Sequence, residues 1–174
     1  MLQVIGSVLG AVVLVVATLG VAYVVGMRRK SPVVVEAVRR FSRRVVNPRM
    51  LQTAGRSGAY ASVIHHTGRT TGRAYRTPVV AAPTEDGFVI ALPYGTTSNW
   101  VRNVLASGSA TIDHEGATYR VEHPELLPLA LMNRYFPDKE QRSHVRFDVD
   151  RCLRLRRVGR PEPSVAPSAG RSAR

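Results

Sequence analysis

Two short segments carry the residue types that hold anions. The first runs Thr67-Gly68-Arg69-Thr70-Thr71-Gly72-Arg73-Ala74-Tyr75-Arg76-Thr77-Pro78. Its glycines allow a ligand close to the backbone, its threonines offer hydroxyls, and its three arginines suit a phosphate or carboxylate. A hairpin tip with solvated arginines accounts for the same residues equally well. The second segment is Tyr94-Gly95-Thr96-Thr97-Ser98-Asn99-Trp100. Here a small, polar loop opens a helix, whose unpaired N–H groups and positive dipole end favour an anion. Trp100 repeats with Val101, Val104 and Leu105 on an apolar face, which makes it a core anchor as readily as a ligand contact.

Both segments fall between expected strands. Apolar runs at 60–67, 75–82 and 88–93 are separated by Gly68 and by the Thr84-Glu85-Asp86-Gly87 turn. Ser98 is the expected side-chain N-cap of a short helix that Gly108 stops. A hairpin follows, 110–114 and 118–122 joined by Glu115-Gly116, then a helix over 124–136 and a last strand over 149–158 with Leu153 and Leu155 opposite Arg154 and Arg156. Six or so short strands with inserted helices give a mainly β, α+β domain with a closed or nearly closed sheet.

The N-terminus reads differently. Residues 1–27 hold no charge and are long enough for one transmembrane helix, since about 20 apolar residues span a bilayer. Arg28, Arg29 and Lys30 follow it and no cation precedes it. That order argues against a signal peptide and predicts a single-pass protein of the cell membrane, N-terminus outside and domain cytoplasmic. Gly6 and Gly10 have the spacing that lets two such helices pack as a homodimer, although a glycine-tolerant apolar helix is the simpler account.

Residues 28–58 form an expected basic juxtamembrane helix and linker, with Val34, Val38, Phe41 and Val45 on one face and Arg39, Arg40, Arg43 and Arg44 on the other. Anionic membrane lipid then absorbs much of the net charge of +13, at about 1 kcal/mol per basic residue. Aromatic residues are 6% of the chain and no groove-reading motif is present, so nucleic acid is not an expected partner. The lone Cys152 and scattered histidines complete no metal site. The expected domains are thus 1–27, 28–58, 59–158 and a Pro-, Ser- and Arg-rich disordered tail at 159–174.

Taken in order, the Gly68-Arg69-x-Thr71-Gly72 loop with Pro78 beyond it, Gly95 followed by Asn99-Trp100 and Asn103, Leu105-Ala106-x-Gly108, and the closing Leu153-Arg154-Leu155-Arg156 resemble the deazaflavin-dependent nitroreductase and quinone reductase family of actinobacteria. The resemblance covers about 61–158. It implies a split β-barrel of the flavin-reductase kind and an oxidoreductase using coenzyme F420, whose tail carries a phosphate and several glutamates; relatives have moved to other ligands. Arg69, Arg73 and Arg76 with the 68–72 backbone would hold that tail, and Tyr94 to Ser98 the phosphate or ring edge. Substrates implied are quinones, menaquinone among them, or other small apolar nitro and enone compounds. Tyrosines near the last helix line the substrate pocket in the family, and Tyr135 is the nearby candidate here for a proton donor. The sequence departs from the family pattern at Tyr94, where a lysine is common, and at Tyr75, where a basic residue is common. A non-catalytic, membrane-tethered lipid- or cofactor-binding protein of the same fold is the alternative.

Overall fold

The computed structural model describes residues 2–163, with side-chain surroundings from Leu9 onward. Helix α1 (Leu2–Arg28) is long and apolar enough to cross a membrane, and its leucines and valines from Leu9 to Val21 are exposed. Gly6 lies outside the residues whose surroundings are described, and Gly10 has open space around it. Helix α2 (Pro32–Phe41) continues through a wide turn (Ser42–Val46) into the short α3 (Asn47–Met50). The remainder is one antiparallel sheet in the order β2-β1-β5-β6-β7-β4-β3, curled into a half-barrel.

Its strands are β1 (Ser62–Thr67), β2 (Ala74–Val79), β3 (Ala81–Pro83), β4 (Gly87–Ala91), β5 (Ser109–His114), β6 (Ala117–Pro128) and β7 (Arg151–Pro163). Helix α4 (Asn99–Ser107) joins β4 to β5, and α5 (Asp138–Arg146) precedes β7. One apolar cluster gathers Ile64, Phe88, Ile90, Ile112, Leu153 and Leu155 from the strands with Val101 and Val104 of α4. A second, built on Val89, Leu129, Phe136 and Cys152, fills the other side. Burying such branched side chains on both faces stabilises the sheet by about 1.5–3 kcal/mol each.

Three expectations are corrected, and one helix was not expected. The helix expected over 124–136 is absent: β6 runs on to Pro128, and two 3-10 turns (Leu129–Leu131 and Asn133–Tyr135) follow. The ladder shifts register between Glu122 and Glu125, with His123 at φ +54°, so Pro124 sits in a bulge where its missing N–H costs no ladder bond. Helix α5 was not legible, because Val145 is its one aliphatic residue and no apolar stripe marks it. Strand β7 extends five residues into the expected tail, with Pro163 opposite Ala117; residues 164–174 lie outside the described residues. Ser98 does precede α4, yet its side chain makes no capping hydrogen bond.

The segment at 28–58 is also no free linker. Val35 of α2 is buried and Arg39 is turned inward, whereas Phe41 is exposed. Farther on, the Gly55 N–H bonds to Ala61 O and Gly55 O accepts from the Gly116 N–H, so this segment packs on the domain.

Candidate functional site

The arginine-bearing loop forms the tip of the β1–β2 hairpin. Its N–H groups close it locally, Gly68 to Arg73 O at 2.8 Å and Gly72 to Gly68 O at 2.8 Å. A Cβ on Gly68 would stand 2.5 Å from Thr71 Oγ1 and 2.7 Å from the Tyr75 ring, so only glycine lets Tyr75 lie across the loop. Tyr75 stacks on His66 with ring centroids 5.7 Å apart.

A buried polar relay ties this tip to α4. The Arg69 backbone N–H and Nη1 both donate to Asn103 Oδ1, at 3.2 and 3.0 Å. That leaves Asn103 Nδ2 to donate to His66 Nδ1 at 3.1 Å, and His66 Nε2 to donate to Thr77 Oγ1 at 3.1 Å. Each atom's role follows from its neighbour, which fixes His66 as the neutral Nε2–H tautomer. Burial, then the neighbouring His65, pushes the His66 imidazole down to about 4, in keeping with a neutral ring. Asn103 and His66 are both buried.

Arg76 lines a cleft of about 470 Å³ on the sheet, together with His65, Thr111, Arg120 and Glu122. The strand register sets Arg76 opposite His65, His65 opposite Thr111, and Thr111 opposite Arg120. His65 Nε2 meets Asp113 Oδ2 at 2.6 Å. Burial pushes the Asp113 carboxyl up, but hydrogen bonds from His65 and Thr118 outweigh it and leave the group below its usual value.

A larger cleft, about 720 Å³, opens between α2 and the loop at 94–97. That volume falls within the range of about 300–1,000 Å³ common to ligand pockets. Tyr94, Gly95, Thr96 and Thr97 line it on one side and Val35, Glu36 and Arg39 of α2 on the other. Arg39 Nη2 donates to Tyr94 O at 2.6 Å and to Thr97 Oγ1 at 2.9 Å, while Ser42 Oγ lies 3.4 Å from the Tyr94 hydroxyl. Arg39 Nε is buried without a partner. Burial lowers the Arg39 guanidinium below the ordinary arginine value, with Glu36 opposing the shift.

The expected site residues therefore separate. Tyr94, Gly95, Thr96 and Thr97 face the larger cleft and Arg76 the smaller. Arg69 joins α4, Thr70, Thr71, Gly72 and Arg73 are exposed at the tip, and Pro78 is half-buried opposite Val63. Ser98 is buried, Asn99 is exposed, and Trp100 packs against the main core. Tyr135, expected as a proton donor, lines neither cleft: its hydroxyl donates to Glu85 Oε2 at 2.6 Å and accepts from Arg134 Nη2 at 3.1 Å. The 3-10 turns that replace the expected helix put it beside the Thr84–Gly87 turn instead.

Sequence reasoning missed Arg39, and left Asn103 and His66 outside the site. Val35, Arg39 and Ser42 stand at i, i+4 and i+7, so a polar-inward face was legible in α2 had burial been assigned by spacing instead of by hydropathy.

A family model described as F420H(2)-dependent quinone reductase matches residues 33–142, which takes in α2, both loops and α4. No curated protein matches the chain. Among solved structures the chain is similar to an F420 reductase, at 14% identity and TM-score 0.41, covering 57% of this chain and 87% of that one. It is also similar to an FMN-binding protein from Syntrophomonas wolfei subsp. wolfei, at 16% and 0.41, covering 75% and 98%. A third is HutZ, the heme storage protein from Vibrio cholerae, at 10% and 0.42, covering 67% and 90%.

Proposed function

The chain belongs to the F420H2-dependent quinone reductase family, and on that premise we propose that it is a membrane-anchored reductase passing a hydride from reduced F420 to a quinone or another small apolar electrophile at the cytoplasmic leaflet. It is an F420-dependent oxidoreductase. The further reading concerns where it works, on what, and with which side chains.

The observation that carries it is the relay Arg69–Asn103–His66–Thr77, which fastens a cation-bearing hairpin tip to the helix that begins beside the larger cleft. An idle surface turn has no need of a buried amide and a neutral imidazole behind it. The residues fit a coenzyme with an acidic tail: Arg73 and Arg76 are exposed, and the Arg39 guanidinium is held within the larger cleft. Arg69, Arg73 and Arg76 would hold the tail, and Tyr94, Gly95, Thr96 and Thr97 would bound the ring side, with Ser98, Asn99 and Trp100 fixing the start of α4 behind them. Bound F420H2 supplies the hydride; the protein supplies orientation and exclusion of water. Arg39 keeps the 94–97 loop closed on α2, and Val35 and Leu126 line the same cleft with apolar surface.

For the membrane, α1 is the support: its leucines and valines from Leu9 to Val21 are uncovered by the domain, and Arg28, Arg29 and Lys30 stand at its end. Arg40 of α2 and Arg44 of the wide turn, both exposed, then lie near anionic lipid.

The direct test is fluorescence titration with F420. The Arg69→Ala/Arg76→Ala double variant should bind tenfold or more weakly, since a hydrogen bond to a charged group contributes about 1.5–3 kcal/mol. Unchanged binding would remove these residues from the site, and lack of binding by the wild-type protein would end the reading as a whole.

A further inference from the structure

The end of α1 is fastened to the domain at several points, unlike a tether on a loose linker. Arg28 Nη1 donates to the carbonyls of Val145 at 3.2 Å and Arg146 at 3.1 Å, and Lys30 Nζ donates to Asp148 O at 2.9 Å. Arg28 thus satisfies the last carbonyls of α5 and Lys30 holds the turn just beyond it, both cations complementing the negative end of the helix dipole. Tyr23 meets Phe147 edge to face with centroids 5.9 Å apart, and Met27 is only 2% exposed although it belongs to an otherwise uncovered helix. The turn into α2 is equally close. A Cβ on Gly26 would stand 2.5 Å from Val34 Cγ2.

This clamp fixes what lies next to the apolar helix. Lys30, two residues past the end of α1, lines the larger cleft, as do Pro32 and Val35 at the start of α2 and Leu126 of β6. If α1 spans a bilayer, the residues that directly follow it stand at headgroup level, and so does this end of the cleft. Beside the charged lining of Lys30, Glu36, Arg39, Asp150 and Arg151, the cleft carries an apolar wall of Pro32, Val35 and Leu126 at that height, which a substrate arriving from water does not require. A ring compound dissolved in lipid gains from it, because it crosses no aqueous gap and meets the site at the raised concentration of the bilayer.

Resting on the reductase reading above, we propose that the cleft is a lateral port. A quinone with an apolar tail enters it from the bilayer between the start of α2 and Leu126. Its ring reaches Tyr94 while its tail stays in lipid, and the α1–α5 clamp holds the mouth at that level.

The test uses the full-length protein in phosphatidylethanolamine–phosphatidylglycerol vesicles and a prenyl-tailed azidobenzoquinone, photolysed without F420. Adducts should fall on peptides covering residues 30–39 and 94–97 and should be competed by unlabelled tailed quinone. Labelling confined to the smaller cleft, or spread over the surface and not competed, overturns the port. As a second measure, the Tyr23→Ala/Arg28→Ala variant loosens the clamp without touching the cleft. Its kcat/KM for the tailed quinone should fall about fivefold or more, and that for a short, water-soluble quinone should hold. Equal behaviour towards the two quinones overturns the proposal. F420 titration of the wild-type protein separates this outcome from failure of the reductase reading, because the port can fail while the coenzyme still binds.

Discussion

Two arginines stand on the tip loop of the β1–β2 hairpin and a third just inside β2, but Arg73 and Arg76 are exposed and of the three only Arg69 is tied down, through Asn103. Under α2 a single arginine does more. Arg39 is half-buried, holds Tyr94 O and Thr97 Oγ1, and keeps an Nε with no partner. The number of charges thus says little about where a binding site is built. A guanidinium in water interacts through a high dielectric and is screened by salt, whereas one removed from water acts through a lower dielectric and holds its neighbours in place. The tip is suited to attracting an acidic tail, and the cleft to fixing what lies beyond it.

The sharpest way to break this contrast is Arg39→Ala. It removes two hydrogen bonds from a charged donor and leaves Tyr94 O without its partner. Stability in urea should drop by about 1.5–3 kcal/mol, and F420 affinity should weaken as the 94–97 loop loosens. Arg39→Lys should recover only part of the loss, because one ammonium cannot reproduce the guanidinium fork. A change below about 0.5 kcal/mol, the scale of an ordinary surface substitution, would show that the cleft is held by α2 packing alone.

A smaller effect tests the relay behind the tip. His66 is held at about 4 in the fold, against 6.5 when free. As pH falls through 6.5 the unfolded chain takes up a proton that the folded one refuses, so this contribution is complete above 6.5 and is lost progressively towards 4. The loss is at most about 1.4 kcal/mol per pH unit. His114 and His144 are shifted down by burial in the same direction and add to the wild-type slope. His66→Gln keeps a donor and an acceptor without the titration, so its stability should vary less with pH over that window. Identical slopes for the two proteins would mean that His66 is not the buried neutral link.

These contrasts explain what the sequence could and could not show. The β5–β6 hairpin, α4 with Gly108 at its end, and Leu153 and Leu155 facing inward were legible because turn chemistry and period-two patterning are local. The span of β6 was not, since Leu126, Leu127 and Leu129 suit a helix as well as a strand and only pairing with β7 decides between them. Helix α5 carries no apolar stripe and is held at its end by Arg28 from the far end of the chain, with Lys30 on the turn that follows. The candidate site divided in the same way. Its loops could be read from glycine, threonine and arginine, but the inward turn of Arg39 depends on α2 docking against Tyr94, a contact between residues 55 positions apart.

The finest distinction between the two regions lies in Arg73. Its guanidinium has no hydrogen-bond partner among the described residues, and its backbone N–H meets Thr71 Oγ1 at 3.4 Å, a contact that truncation of the side chain preserves. Arg73→Ala should therefore leave the denaturation midpoint within the scatter of surface substitutions, about 0.5 kcal/mol. If the tip receives an acidic tail, the same variant should still weaken F420 binding, and the weakening should shrink as salt is raised because an exposed cation is screened. Arg39→Ala is expected to lose affinity at any ionic strength, since its part-buried bond to Tyr94 O holds the loop from within. A salt-insensitive loss at Arg73, or a salt-sensitive one at Arg39, would reverse the roles assigned to the tip and the cleft.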